Sequence, residues 1–408
     1  MKKLHYAWSV CLGCALSVFA IIGLGVNIFA IYQPYIIAFN NFTNAHGSLI
    51  TTTRSLFVVL SMMVVNQVSA RFGLRQVMTF GMGLLTLSCV CFGLATSFPA
   101  YCTAAALSGL AYGFGGMIPL SLVIGHWFRD RRGFALGLAA AATGVSTIFA
   151  SPIVTALIET FGLRTAFLAE AAFVFVVMIL VWLLVRSSPS DMGMEPYHLG
   201  GSSAPVPPPR PAPSGMTKPL SAALLFAAFL TGAPGGPGFS HMTVLYTSCG
   251  YDSATVALLI SYMGLVICLG KILCGQVYDA VGGRLGNYYT FGIYFLGFVL
   301  CCTAPLGNLL LPFLSMTFFS LGVPISNVSF AVWADDLYGA KGYESAVRSF
   351  TLAFALGMLL FGPLPGILAD FFGSYVPAYA FFAGTLVVSM VIVRYAYNKL
   401  DVGHRPAK

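Results

Sequence analysis

Apolar residues in this chain neither alternate nor keep to one helical face. They run on for about twenty residues at a time, broken by short stretches that carry Arg, Gly or Pro. Twenty residues of α-helix rise about 30 Å, the thickness of a bilayer's hydrocarbon core. Within hydrocarbon every backbone N–H and C=O has to be satisfied inside the segment, so each run reads as a spanning helix. The pattern predicts twelve, at 7–38, 48–70, 76–97, 100–127, 134–158, 165–186, 218–248, 253–278, 287–305, 308–334, 346–369 and 376–398.

The stretch SSPSDMGMEPYHLGGSSAPVPPPRPAPSGMT, between Arg186 and Lys218, is too rich in Pro, Ser and Gly to span or pack, and reads as a linker. It separates an N-terminal six-helix half, 1–186, from a C-terminal half, 218–400, with the linker at 187–217 and a tail at 401–408. The halves resemble each other. SARFGLR, Ser69 to Arg75, and YDAVGGR, Tyr278 to Arg284, both end in Gly-x-Arg at an offset of 209. SPIVTALIETFG, Ser151 to Gly162, and GPLPGILADFFG, Gly362 to Gly373, align at an offset of 211 with Pro, Leu, acid, Phe and Gly in register. Two matches in the same order indicate a duplicated six-helix unit.

Composition agrees: 58% of the 408 residues are hydrophobic and 8% charged, against about a quarter charged in a soluble domain. With the N-terminus inside, 16 of the 20 basic residues fall in cytoplasmic segments, leaving Arg54, Arg164, Lys271 and Arg348 elsewhere. Both termini are therefore expected in the cytoplasm and the chain in the cell (inner or plasma) membrane. The net charge of +8 is topological and requires no nucleic acid. MKKLHYAWSV has the basic start of a signal peptide, but the apolar run behind it continues for about 30 residues and reads as the first, uncleaved span.

Enzymatic chemistry finds no support. The ten cysteines lie almost entirely inside spans, at spacings that fit no zinc or disulfide framework, and read as small packing residues. There is no HExxH, GxSxG or Cys/His cluster, and GLVICLGK, Gly264 to Lys271, fails the phosphate-loop spacing. No cofactor or metal is expected. GLAYGFGG, Gly109 to Gly116, and Gly133, Gly137 and Gly144 place small residues at intervals that allow close helix crossings.

HWFRDRRGFALGLAAAATGVS, His126 to Ser146, resembles the signature between the fourth and fifth helices of monocarboxylate transporters and bacterial oxalate/formate antiporters. HMTVLYTSCGYDSATVALLIS, His241 to Ser261, and DLYGAKG, Asp336 to Gly342, resemble their second-half segments. The resemblance implies an all-α membrane protein of the major facilitator fold: twelve transmembrane helices in two pseudo-symmetric halves, with substrate handled near the midplane between them. The family's G-x-x-x-D-x-x-G-x-R loop is kept once, as Gly275, Asp279, Gly282 and Arg284. The first copy has Asn66 and Ala70 in place of Gly and Asp, and ends at Arg75. Asp279, Arg284 and Arg75 are thus expected at the cytoplasmic gate.

Where the family carries a substrate-binding arginine, this chain has Lys271. It lies about 10 Å inside the membrane by helical rise, where an unpaired Lys costs about 2.5–3.5 kcal/mol. Asp279 is about 12 Å along the axis, an awkward distance for a direct pair. Lys271 is therefore expected to meet a substrate carboxylate as a point charge, and a lysine that gains its proton with the anion would couple the two. Arg54, about six residues into the second span, is either an anchor at the outer headgroups or an attractor of anions. Glu170 is expected to pair with Arg164 or other local groups, and Arg348 with Glu344. Among neutral groups, Tyr32 in GVNIFAIYQPYI and Asn327 in PISNVS are candidate substrate contacts. His241 is a gate or proton group, or a plain interfacial histidine.

The sequence reads as a monomeric, non-enzymatic secondary transporter of small organic anions such as lactate, pyruvate or formate, with H+ symport by alternating access. Anion exchange of the oxalate/formate kind is the first rival. That branch has a second basic residue in the eleventh span, which FTLAFALGMLLF, Phe350 to Phe361, lacks. Efflux of hydrophobic compounds, and a non-transporting sensor on the same fold, are weaker rivals.

Overall fold

The computed structural model describes residues 5–128, 132–198, 213, 215–326 and 328–402, without the side chains of a few of them, Asp279 and Glu344 included. It is 88% helix, with no strand among the described residues. The long helices are α1 (Ala7–Asn40), α2 (Asn44–Phe72), α3 (Leu74–Leu94), α4 (Phe98–Trp127), α5 (Phe134–Phe161), α6 (Leu163–Leu184), α7 (Lys218–Gly238), α8 (Ser253–Cys301), α9 (Leu310–Gly339), α10 (Lys341–Phe372) and α11 (Val376–Leu400). Eleven stretches among the described residues are long and apolar enough to cross a bilayer, Ser253–Tyr278 being the first arm of α8.

The expected span at 287–305 lies in the second arm of α8. At 49 residues a straight helix would reach about 74 Å, more than two bilayer cores. It bends at Gly282, whose φ of 81° and ψ of 171° lie in a region open essentially to glycine alone. Gly73, 209 residues earlier, parts α2 from α3 with φ 85° and ψ 149°. Gly162 and Gly373, the second matched pair, also have positive φ. The repeat read from the letters is thus carried by the backbone.

The first helix of each half is widened into π-helix, at Phe19–Ile28 in α1 and Pro234–Gly238 in α7. Such turns recur at functional sites. In α7, Pro234 accepts from the Tyr294 hydroxyl at 3.1 Å and Gly238 from Tyr379 at 2.8 Å.

The chain forms two compact units, one of Met1–Asn41 with Thr53–Val206 and one of Phe42–Thr52 with Pro207–Lys408. In the first, α3 packs along α4 and α6, and α1 along α5. Gly109 and Gly113 on α4 press against Arg54 and Ser61 of α2 so closely that a Cβ would clash, as expected of small residues at a crossing. Gly137 differs, since an added Cβ there meets nothing within 4 Å. In the second unit, α7 packs against α10 and α11, and the rings of Tyr294, Phe298, Phe319 and Phe382 interlock in its core.

Candidate functional site

In the first unit Tyr32 of α1 enters an aromatic pocket. Tyr32 is 1% exposed; its ring stacks on Phe167 at 3.9 Å and its hydroxyl donates to Glu170 Oε2 over 2.7 Å. Glu170, on α6, is thus partnered across helices by Tyr32 and not by Arg164. Tyr32, expected as a substrate contact, has its hydroxyl engaged by the carboxylate. Gln33 beside it is 2% exposed, and neither polar atom of its side chain has a partner among the described residues. That amide is spare hydrogen-bonding capacity, of the kind a ligand or an ordered water satisfies.

Arg54 sits deeper than expected, because α2 begins at Asn44 and not near residue 48. It is 6% exposed, so the headgroup-anchor alternative does not fit. Its Nη1 donates to the Gly25 carbonyl at 3.3 Å, which also accepts from the Ser108 hydroxyl at 3.4 Å, and its guanidinium lies 4.9 Å from the Phe29 ring centre. Among the described residues no carboxylate pairs with it.

In the second unit, Lys271 lies about three turns before the bend of α8 at Gly282, half-buried, with no hydrogen bond or ion pair among the described residues. Asp279, whose side chain lies outside the described residues, offers no test of a pair with it; Asn327 lies outside them altogether. Nearby, Asn287 Oδ1 accepts from Tyr278 at 2.8 Å and Trp333 Nε1 at 2.7 Å, with Ser329 2.7 Å from the same tyrosine hydroxyl.

The two Gly-x-Arg arginines act alike, each within its own unit. Arg75 Nε donates to the Trp182 carbonyl at 3.0 Å with its guanidinium 3.8 Å above the Trp182 ring, holding the end of α6. Arg284 holds the end of α11 through Asn398 and, at 3.6 Å, Asp401. Each of these contacts braces the end of a terminal helix. Glu344, the expected partner of Arg348, has no described side chain.

His241 is fully buried, which removes the interfacial alternative. Its Nδ1 lies 2.9 Å from the Pro237 carbonyl and its Nε2 2.7 Å from Ser48 Oγ. A few residues away, Asp370 accepts from the backbone N–H groups of Asn44 and Ala45 at 3.0 and 2.8 Å, capping α2, while Tyr375 donates to Asn44 Oδ1 at 2.9 Å. The sequence named Asp370 only as part of the repeat; its capping role needs α2 and α10 side by side.

The family model of the Major Facilitator Superfamily matches residues 15–353. The chain belongs to the Major Facilitator Superfamily. Among its relatives, rat Monocarboxylate transporter 12 is 24% identical over 430 residues, covering 96% of this chain and 85% of the relative. The Oxalate:formate antiporter of Oxalobacter formigenes is 26% identical over 116 residues, covering 28% of each chain. Among solved structures, the nucleoside transporter NupG superposes with a TM-score of 0.73 at 12% identity over 96% of this chain and 98% of its own. The D-xylose-proton symporter gives 0.72 at 12% identity over 95% and 97%. This superfamily member is a multi-pass membrane protein and a transporter, homologous to monocarboxylate transporters at low identity.

Proposed function

We propose that this facilitator carries small organic anions, monocarboxylates such as lactate, pyruvate or formate, together with H+ by alternating access. The observation that carries the reading is Lys271: a half-buried amine inside an apolar span with no carboxylate partner among the described residues. A cation at membrane depth is costly unless something negative or water meets it, and a carboxylate substrate supplies that charge. The names of its relatives support the same substrate class. On this reading the chain works as a monomer in the cell membrane with both termini cytoplasmic.

A second reading, exchange of oxalate for formate, gains from Arg54. It is a buried cation in the first unit with no carboxylate partner among the described residues. The deciding experiment is uptake of labelled lactate, pyruvate, formate and oxalate into proteoliposomes, with and without a pH gradient. Gradient-driven lactate, pyruvate or formate uptake is expected. Oxalate counterflow that ignores the gradient supports the exchange reading, and transport of lipophilic cations alone overturns both.

A further inference from the structure

Glu170 is a buried charge that anion recognition leaves unused. It is 8% exposed in α6, and what surrounds it is the Tyr32 hydroxyl at 2.7 Å, the Cys89 thiol and the stacked rings of Phe92 and Phe167. No cation pairs with it among the described residues. Replacing a buried ionisable group by packed apolar atoms is often neutral or stabilising, so an acid kept in such a place is a functional group by default. Beside it lies a gap of about 10 Å³, room for about one water, through which a proton can be relayed.

The second observation is that Glu170 and Arg54 grip the same piece of α1. Arg54 holds the Gly25 carbonyl inside the π-widened stretch, and Glu170 holds Tyr32 just beyond its end. An anion that draws the guanidinium off Gly25 loosens one end of this segment, leaving it to the Ser108 hydroxyl. A proton on Glu170 frees the other, because a hydrogen bond to a carboxylate is roughly twice as strong as one to a neutral acid. Two ligands that bias one element are coupled, and each raises the affinity of the other.

We propose that Glu170 is the proton-carrying group of this transporter, coupled to an anion at Arg54 through the Gly25–Tyr32 segment of α1. The proposal rests on the anion-transport reading for what occupies Arg54. The groups that face Glu170 or its pocket are Tyr32 from α1, Cys89 from α3, the Ser108 hydroxyl from α4 and, across Gly25 and Phe29, Arg54 from α2. A proton added to the carboxylate on one side of the membrane and released on the other balances one monocarboxylate, so the paired movement carries no net charge. The assignment replaces Lys271 as the coupling group.

The test uses the full chain in proteoliposomes, with two readouts. Infrared spectroscopy across a pH series without substrate is expected to show a buried carboxylic-acid carbonyl band that titrates, disappears in Glu170→Gln, and moves its midpoint in Tyr32→Phe. Absence of a titrating band assignable to Glu170 overturns the proposal even if no lactate is carried, whereas failure of lactate transport with the band present counts against the substrate reading alone. With lactate as the probe, proton movement per lactate is expected to be lost in Glu170→Gln and kept in Lys271→Arg. Undiminished proton movement in Glu170→Gln, or its loss in Lys271→Arg alone, overturns the assignment. Should Glu170→Gln fail to fold, Tyr32→Phe decides: an unchanged midpoint together with an unchanged proton-to-lactate ratio refutes it.

Discussion

His241 Nε2 accepts the Ser48 hydroxyl over 2.7 Å while its Nδ1, 2.9 Å from the Pro237 carbonyl, holds the ring in place. A carbonyl only accepts, so Nδ1 carries the hydrogen and the tautomer is fixed. Replacing His241 with Leu leaves the buried Ser48 hydroxyl short of a partner, while the Pro237 carbonyl keeps the His241 backbone N–H and the Ser240 hydroxyl. The expected loss is about 1–3 kcal/mol for that unsatisfied hydroxyl, seen as a lower midpoint of thermal unfolding. Pairing it with Ser48→Ala should cost less than the two losses added, since the second change removes a group already orphaned.

Asp370 binds the first turn of α2 through two backbone N–H groups and the Asn44 side-chain amide. Asp370→Ala should destabilise by about 1–2 kcal/mol, as loss of an N-cap does, and Asp370→Asn by less. Its counterpart in the repeat, Glu159, makes an exposed hydrogen bond with Tyr35 at 3.2 Å, so Glu159→Ala should cost under about 1 kcal/mol. Equal losses at the two positions would contradict the capping role.

Gly73 and Gly282 hold equivalent bends at φ near 85° and 81°. Alanine at either position should cost about 1–3 kcal/mol of stability, the strain of a backbone region that only glycine enters freely. Thermal unfolding of the two single variants should show losses of similar size, because the geometry is shared.

Asp252 lies outside the spans and caps α8, accepting from Thr255 Oγ1 at 2.7 Å and its backbone N–H at 2.9 Å. These hydrogen bonds, the side-chain one first, favour the charged carboxylate and lower its pKa below the ordinary aspartate value. Its contribution is therefore complete above the unfolded-state pKa of about 3.9 and disappears as pH falls through the lower folded-state value. Asp252→Asn should flatten that part of the acid-unfolding curve by lowering stability near neutral pH, the two proteins converging below the folded-state pKa.

Lys271→Met removes the positive charge at near-constant length and should abolish anion uptake. Lys271→Arg keeps the charge and should retain uptake with altered affinity, because a planar fork replaces a point charge. Lactate uptake by Lys271→Met at the wild-type rate would remove the lysine from the substrate path.

The letters alone determined the spans, their breaks and the duplication. Bilayer thickness converts run length directly into helix count, and a glycine at a forbidden φ marks a bend wherever its partner in the repeat does. They also pointed to Lys271, because its burial is costly without reference to any neighbour. What they left open is which polar group meets which. Glu170 was visible as an acid in an apolar helix, but its partner Tyr32 lies 138 residues away, and the pairing depends on how α1 and α6 are rotated about their axes. Arg54 stood open between a headgroup anchor and an anion attractor until the early start of α2 and the Gly25 carbonyl placed it indoors. Run length is a one-dimensional property that solvent selects, whereas hydrogen-bond partners across helices are set by register and rotation, and those only the packed tertiary structure decides.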